Sequence, residues 1–241
     1  MNNVSYGSIL GRPRSGNNWL RFIIEYLTNY QTAFSPMDTK MRNPLHLLTS
    51  SIDSLKKIKD GVIWDVHRHD DTLLNKVVEN KGKLILILRN YKECIIRHHL
   101  FFKNLDKFSK IKGENFEIIK SQFFFYLKLV DYFDKYDGEK EIIYYEDIID
   151  KNNIRESLVK IVSFLNGDFS KIKNFIDSYD SLSSESKDFY KDNLSGSVEA
   201  SPPGSKIHYS KYLTSEQKQI MDNIIKNSYP NLEKYLKVYY E

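Results

Sequence analysis

Ile9-Leu10-Gly11-Arg12-Pro13-Arg14-Ser15-Gly16-Asn17-Asn18-Trp19 sets the reading of the whole chain. An apolar run enters a loop bounded by two glycines, and an amphipathic segment leaves it at once. Leu20, Ile23, Ile24 and Leu27 fall at i, i+3, i+4 and i+7, the spacing of a helix with one apolar face. Asn17 or Asn18 can serve as its N-cap. A strand–loop–helix corner of this kind turns backbone N–H groups and the positive end of the helix dipole toward one point. Arg14 adds a fixed cation inside the loop, so the corner reads as a phosphate loop.

Gly11 and Gly16 have the spacing of the G-x-x-x-x-G-K-[ST] loop of nucleoside triphosphatases. Asn17 and Asn18 stand where its Lys and its magnesium-binding hydroxyl belong, so that chemistry is missing. Pro13-Arg14-Ser15-Gly16-Asn17-Asn18-Trp19 instead resembles the P-K-S-G-T-T-W loop of sulfotransferases that use 3′-phosphoadenosine 5′-phosphosulfate (PAPS). The resemblance implies that Arg12, Pro13, Arg14, Ser15, Gly16, Asn17, Asn18 and Trp19 surround the phosphosulfate. No metal is then expected.

The 241 residues and a formal net charge of +4 allow one α/β domain with a sizeable core. The lysines are scattered rather than clustered, which argues against a nucleic-acid partner. One cysteine, Cys94, excludes an internal disulfide framework and suggests a reducing compartment. The opening Met1-Asn2-Asn3-Val4 has no signal-peptide character, and no run approaches the ~18 apolar residues of a membrane span. A cytoplasmic, soluble protein is expected.

Strands are expected at 5–10, 61–66, 83–88 and 141–144, and helices at about 18–30, 91–102, 114–134, 154–165 and 215–228. A further helix capped by Asp70 or Asp71 carries Leu73, Leu74, Val77 and Val78. Lys83–Leu88 is a nearly continuous apolar run, as in a strand buried on both faces. Thr214-Ser215-Glu216-Gln217 has the form of a capping box. Residues 31–60 read as irregular, and the Ser-rich stretch 178–212 as a long mobile surface loop. Strands alternating with helices imply a central parallel sheet flanked by helices in a single domain over 1–241.

Ligands gather outside the carboxyl ends of such strands, and three more stretches there resemble sulfotransferase segments. Leu84 to Arg97 resembles the strand followed by R-N/D-P-x-D that binds the 3′-phosphate. Arg89 then takes that phosphate in fork-like contact, and Arg97 stands where the family has a Ser ligand. Val62-Ile63-Trp64-Asp65-Val66-His67 resembles the strand ending in K-T-H, which implies His67 as general base, with His69 the alternative if the register slips. Imidazole suits that task near neutral pH. Asp65 replaces the family's Lys, so Arg12, Arg14 or Arg68 must supply the charge, or Asp65 points away. Ile142–Ile148, with Tyr144-Tyr145-Glu146-Asp147, resembles the L-Y-Y-E-D segment, which brings Tyr145 to the adenine; Trp19 is the other candidate for stacking on that base, and a place in the core is the alternative for either ring.

The carboxyl-terminal R-K-G-x-x-G-x-W motif is poorly matched. Pro202-Pro203-Gly204 stands there, so Gly204 and Lys206 are the loop's candidate ligands, with His208, Lys211 and Arg97 as other compensating cations. The resemblance implies a P-loop-NTPase-like sulfotransferase fold. It also implies in-line transfer of a sulfuryl group from PAPS to a hydroxyl acceptor, a glycan or a small alcohol or phenol, with PAP as the other product. Residues 31–60, Phe101-Phe102, Phe123–Tyr126 and 178–212 are candidates for the acceptor pocket. Two other readings stand beside it: a non-catalytic PAP- or glycan-binding relative, and a zinc hydrolase using His67, His69 and Asp71.

Overall fold

The computed structural model describes residues 7–28, 30–34, 62–66, 81–103, 111, 113–193 and 209–240. In chain order these form β1 (Gly7–Leu10), α1 (Asn17–Thr28), β2 (Gln31–Phe34), β3 (Val62–Val66), β4 (Lys83–Leu88), α2 (Tyr91–Lys103), α3 (Glu114–Lys135) and β5 (Lys140–Tyr144). The single turn α4 (Tyr145–Ile148) follows, then α5 (Ile154–Leu165), α6 (Lys171–Asp177), α7 (Tyr179–Asn193), α8 (Ser215–Ser228) and α9 (Glu233–Leu236). The strands make one parallel sheet in the order β2-β3-β1-β4-β5.

β4 shows why the sheet lies between two layers. Leu84, Leu86 and Leu88 join a core built with α2, α3, α8 and the chain's end. Ile85 and Ile87 point the other way, into a core built with α1, α5 and α6. Leu10 and Ile9 of β1 divide in the same manner. A strand with period two that is apolar on both faces can be stable only when both faces are covered.

The order also places a crevice. From β1 the chain passes to β2 and β3 on one side, whereas β4 leads to β5 on the other. Neighbouring strands whose connections diverge leave a hollow outside their carboxyl ends. Here those strands are β1 and β4, in register from Gly7 opposite Lys83 to Leu10 opposite Leu86.

Three expectations are corrected. Residues 31–34, expected to be irregular, form the edge strand β2, tied to α1 by a buried polar knot. Arg21 donates from Nε to Thr32 Oγ1 at 2.9 Å, and Glu25 Oε1 accepts from Thr32 N at 3.2 Å and from its hydroxyl. The loop expected over 178–212 begins instead as α7. Tyr179, Ser183 and Ser186 are buried at helical spacing, and small serines on the inner face hide the apolar periodicity that marks most helices. The helix α1 is opened by Gly16, whose carbonyl accepts from Leu20 N at 3.1 Å, rather than by Asn17 or Asn18. The capping box at Thr214 and Gln217 forms as expected.

Candidate functional site

The loop after β1 has a backbone few sequences can adopt. Arg14 (φ 77°) and Gly16 (φ 97°) both lie in the left-handed region. A Cβ on Gly16 would stand 2.2 Å from the Tyr145 ring. One on Gly11 would meet Asn17 Oδ1 at 2.3 Å and Ile87 Cγ2 at 2.5 Å. Both glycines are therefore required by close approach. The loop turns through Ser15 N to Arg12 O at 3.0 Å and is closed by Asn17, which donates from Nδ2 to Gly11 O at 3.2 Å. In this chain that amide links loop to helix from the position of the nucleoside-triphosphatase Lys.

Beneath the loop lies Cys94 on α2, within 3.4 Å of both Ser15 Oγ and Pro13 O. Burial raises its thiol pKa, against the opposing influence of Ser15, Arg89 and Arg12. It packs as a small neutral side chain.

Arg89, the first residue after β4, meets the loop in the crevice. It donates from Nη1 to Arg14 O at 2.9 Å and from Nη2 to Glu93 Oε1 at 2.8 Å. Its Cζ lies 4.0 Å from the centroid of the Tyr145 ring, a stacked cation–π contact. Arg97, one helical turn beyond Glu93, donates to the same carboxylate from Nε at 3.0 Å. Arg14, Arg89 and Arg97 thus converge. Burial lowers the pKa of Arg14, and the neighbouring Arg97 lowers it further. The pKa of Arg97 is likewise lowered by burial and then by the neighbouring Arg89 charge, with Glu93 opposing both. Guanidinium groups stay charged under such shifts, and the single Glu93 carboxylate offsets only part of the charge of three, which leaves the crevice suited to a further anion. Arg89 Nε is buried and has no hydrogen-bond partner among the described residues, which suits a phosphate oxygen.

Other expected site residues fall elsewhere. Trp19 is 3% exposed and donates from Nε1 to Ile148 O at 2.9 Å, with Phe22, Phe175 and Tyr179 around its ring. Its ring packs in the same core cluster as Tyr145, the other ring expected near the adenine, because the apolar side of α1 must face the sheet. Arg12 reaches the other way and donates to Gln122 Oε1 at 2.6 Å, 5.8 Å from the Phe125 ring centroid. Phe123 and Tyr126 are core, whereas Phe124 and Phe125 are exposed and border an open surface depression lined by α3. β3 ends at Val66, opposite Leu10. His67, Arg68, His69, Asp71, the helix expected after them, Gly204, Lys206 and His208 lie outside the described residues, as do the side chains of Asp65, Phe101 and Phe102. No cluster of three or more metal-ligating side chains occurs among the described residues. No helix among them is long and apolar enough to cross a membrane.

Glu93, Gln122 and Glu146 were not singled out from sequence. Glu93 carried a readable signal, standing four residues from an arginine on each side, and Glu146 lies within the matched L-Y-Y-E-D segment, whereas Gln122 carried none.

A family model described as a sulfotransferase domain matches residues 8–236. Among solved structures, the chain is similar to mouse sulfotransferase SULT7A1 complexed with PAP, at 20% identity and TM-score 0.63, over 98% of this chain and 89% of that one. It is also similar to retinol dehydratase in complex with androsterone and the inactive cofactor PAP, at 12% identity and TM-score 0.60, over 97% and 82%. No curated protein sequence matches significantly.

Proposed function

The chain belongs to the sulfotransferase domain family, and from that premise we propose that it is a PAPS-dependent sulfotransferase acting on a hydroxyl acceptor through one catalytic domain spanning residues 1–241. The observation that carries this reading is the meeting of Arg14, Arg89 and Arg97 around a left-handed glycine loop at the ends of β1 and β4. Three cations for one nucleotide suit a ligand with phosphate at two places, the 5′ and 3′ positions of PAPS. PAP in both neighbouring structures points the same way.

In the proposed reaction the acceptor oxygen attacks sulfur in line. His67 takes the acceptor's proton, the sulfur–oxygen bond to the 5′-phosphate breaks, and PAP leaves with the electron pair. Charge grows on that leaving phosphate, where Arg14 and the loop N–H groups stabilise it. Arg14 acts electrostatically only, since a guanidinium does not surrender its proton near neutral pH. Arg89, with Arg97 in place of the family's Ser, takes the 3′-phosphate, and Tyr145 borders the adenine. Gly204 and Lys206 are the candidate donor ligands from the carboxyl-terminal stretch. Phe124 and Phe125, exposed on α3 beside Arg12 of the loop, border the acceptor, a glycan hydroxyl or a small alcohol or phenol.

Asp65 and Pro202-Pro203, where the family carries cations, favour a second reading: a relative that binds PAP without transferring sulfate. Melting curves with PAP, ADP and ATP test the donor, because a ligand at a hundred times its Kd stabilises by about 2.7 kcal/mol. A rise specific to PAP is expected, and equal rises with ATP and PAP would overturn the assignment. Radiolabelled sulfate transfer to an acceptor panel then separates enzyme from binder.

A further inference from the structure

The Arg89–Asn90 peptide is held at both of its polar ends. Its carbonyl accepts from the Tyr126 hydroxyl at 2.9 Å, and its N–H donates to Glu146 Oε1 at 3.0 Å. Both groups belong to one planar unit, so rotating it breaks both bonds. The orientation of that plane aims Arg89 at the loop. Glu146 itself is tied down, since its other oxygen accepts from the Tyr239 hydroxyl at 2.8 Å. Tyr126 and Tyr239 are buried, and burial raises the pKa of both phenols, so each stays a donor.

Asn90 passes the constraint onward. Its carboxamide oxygen accepts from Lys92 N at 3.0 Å and Glu93 N at 3.4 Å, capping α2. The helix so anchored carries Glu93 and Arg97. The residue before Glu146, Tyr145, lies under the Arg89 guanidinium. Two consecutive residues therefore grip Arg89, one by a ring beneath its side chain and one through the amide that follows it.

We propose that Glu146 is a positioning residue for the Arg89–Arg97 anion site, held in place by Tyr239 from the end of the chain. The proposal rests on the donor reading above, in which that site takes the 3′-phosphate. Its consequence is selective: loosening Glu146 weakens recognition of the 3′-phosphate far more than it weakens the 5′-phosphate grip of the loop, which Arg89 touches through the Arg14 carbonyl.

Titrating PAP and ADP into the parent, Glu146→Gln and Tyr239→Phe by calorimetry reads that selectivity. Glu146→Gln is expected to weaken PAP about tenfold and Tyr239→Phe about threefold, since hydrogen bonds to charged groups exceed neutral ones, while ADP shifts by less than about twofold. Exchange of the Asn90 amide hydrogen, measured without nucleotide, is expected to quicken about tenfold in Glu146→Gln. Lys151→Ala, which breaks an exposed pair with Asp180, serves as control. Equal loss of PAP and ADP, or unchanged PAP affinity in both variants, overturns the proposal. A parent that binds neither nucleotide refutes the donor reading instead. Asn90 exchange then decides the clamp alone, quickening in its favour and constancy against it. Tyr239→Phe keeps the ring that packs edge-on against Tyr91, so it remains informative should Glu146→Gln fold poorly.

Discussion

Gly16 concentrates the local physics of the loop. Its φ of 97° is one that side-chain-bearing residues adopt only under strain, and its missing Cβ leaves room for Tyr145. Gly16→Ala is expected to cost about 1–3 kcal/mol from backbone strain and overpacking together. The displaced Tyr145 ring takes the Arg89 guanidinium with it, so PAP affinity should fall more than about tenfold. Urea unfolding and calorimetry measure the two losses separately; an alanine variant with parental affinity would remove Tyr145 from the site. The proposed base, His67, predicts the opposite pattern. His67→Ala should abolish turnover and leave PAP binding close to the parent's, because the imidazole meets the acceptor rather than the nucleotide. Turnover within a few-fold of the parent would move the base to His69 or elsewhere.

Among the elements, the edge strand β2 depends on α1 more than on its own four residues. Thr32 is fully buried, and its hydroxyl joins Arg21 to Glu25. Thr32→Val keeps the shape and the strand preference but removes that hydroxyl. The urea midpoint should drop by the equivalent of about 1–3 kcal/mol with an unchanged slope. PAP binding should stay at the parental level, since β2 is separated from β1 by β3. A large loss of nucleotide affinity in this variant would mean that α1 transmits strain from the sheet edge to the loop. α2 has the contrary character: one helix supplies Glu93, Cys94 and Arg97 to the site and Tyr91 and Lys92 to the core behind it.

The molecule closes by laying its last residues across α2 and α3. Lys92, fully buried, pairs with Asp222 of α8 at 2.9 Å and donates to Tyr239 O at 2.9 Å; Tyr91 also donates to Asp222. Asp134 of α3 fastens the far end through Lys234, Asn231 and Tyr235. Burial opposes its charge, but hydrogen bonds from those three residues outweigh burial and pull its carboxyl from 3.8 down to about 2. A carboxyl whose pKa is lower folded than unfolded contributes stability above the unfolded value and loses it as pH falls through the folded one. The melting temperature should therefore decline between pH 3.8 and about 2. Asp134→Asn should flatten that decline, and a parallel slope in the variant would assign acid sensitivity to other groups. Salt should weaken the Lys234 contact in particular, because that side chain is exposed.

Much of this arrangement was legible in the residues alone. Lys83–Leu88 and Ile154–Leu165 have the bounds expected of them, because long apolar periodicities impose one conformation wherever they are buried. The glycine-bounded loop and the place of Arg89 after β4 were equally readable, since glycine spacing and a cation after a buried strand are local properties. What needed the folded chain was every relation in which the partner is distant. β2 is strand because α1 offers Arg21 and Glu25 to Thr32, and α7 is helix because serines are small enough to pack closely. Trp19 is core because Phe175 and Tyr179 arrive from residues far along the chain. Glu146 gained its role only when parallel pairing of β4 with β5 set Tyr145 and Glu146 beside Arg89 and Asn90. Local sequence chooses conformations and reactive groups, but contact between groups a hundred residues apart depends on sheet order, which no short stretch contains.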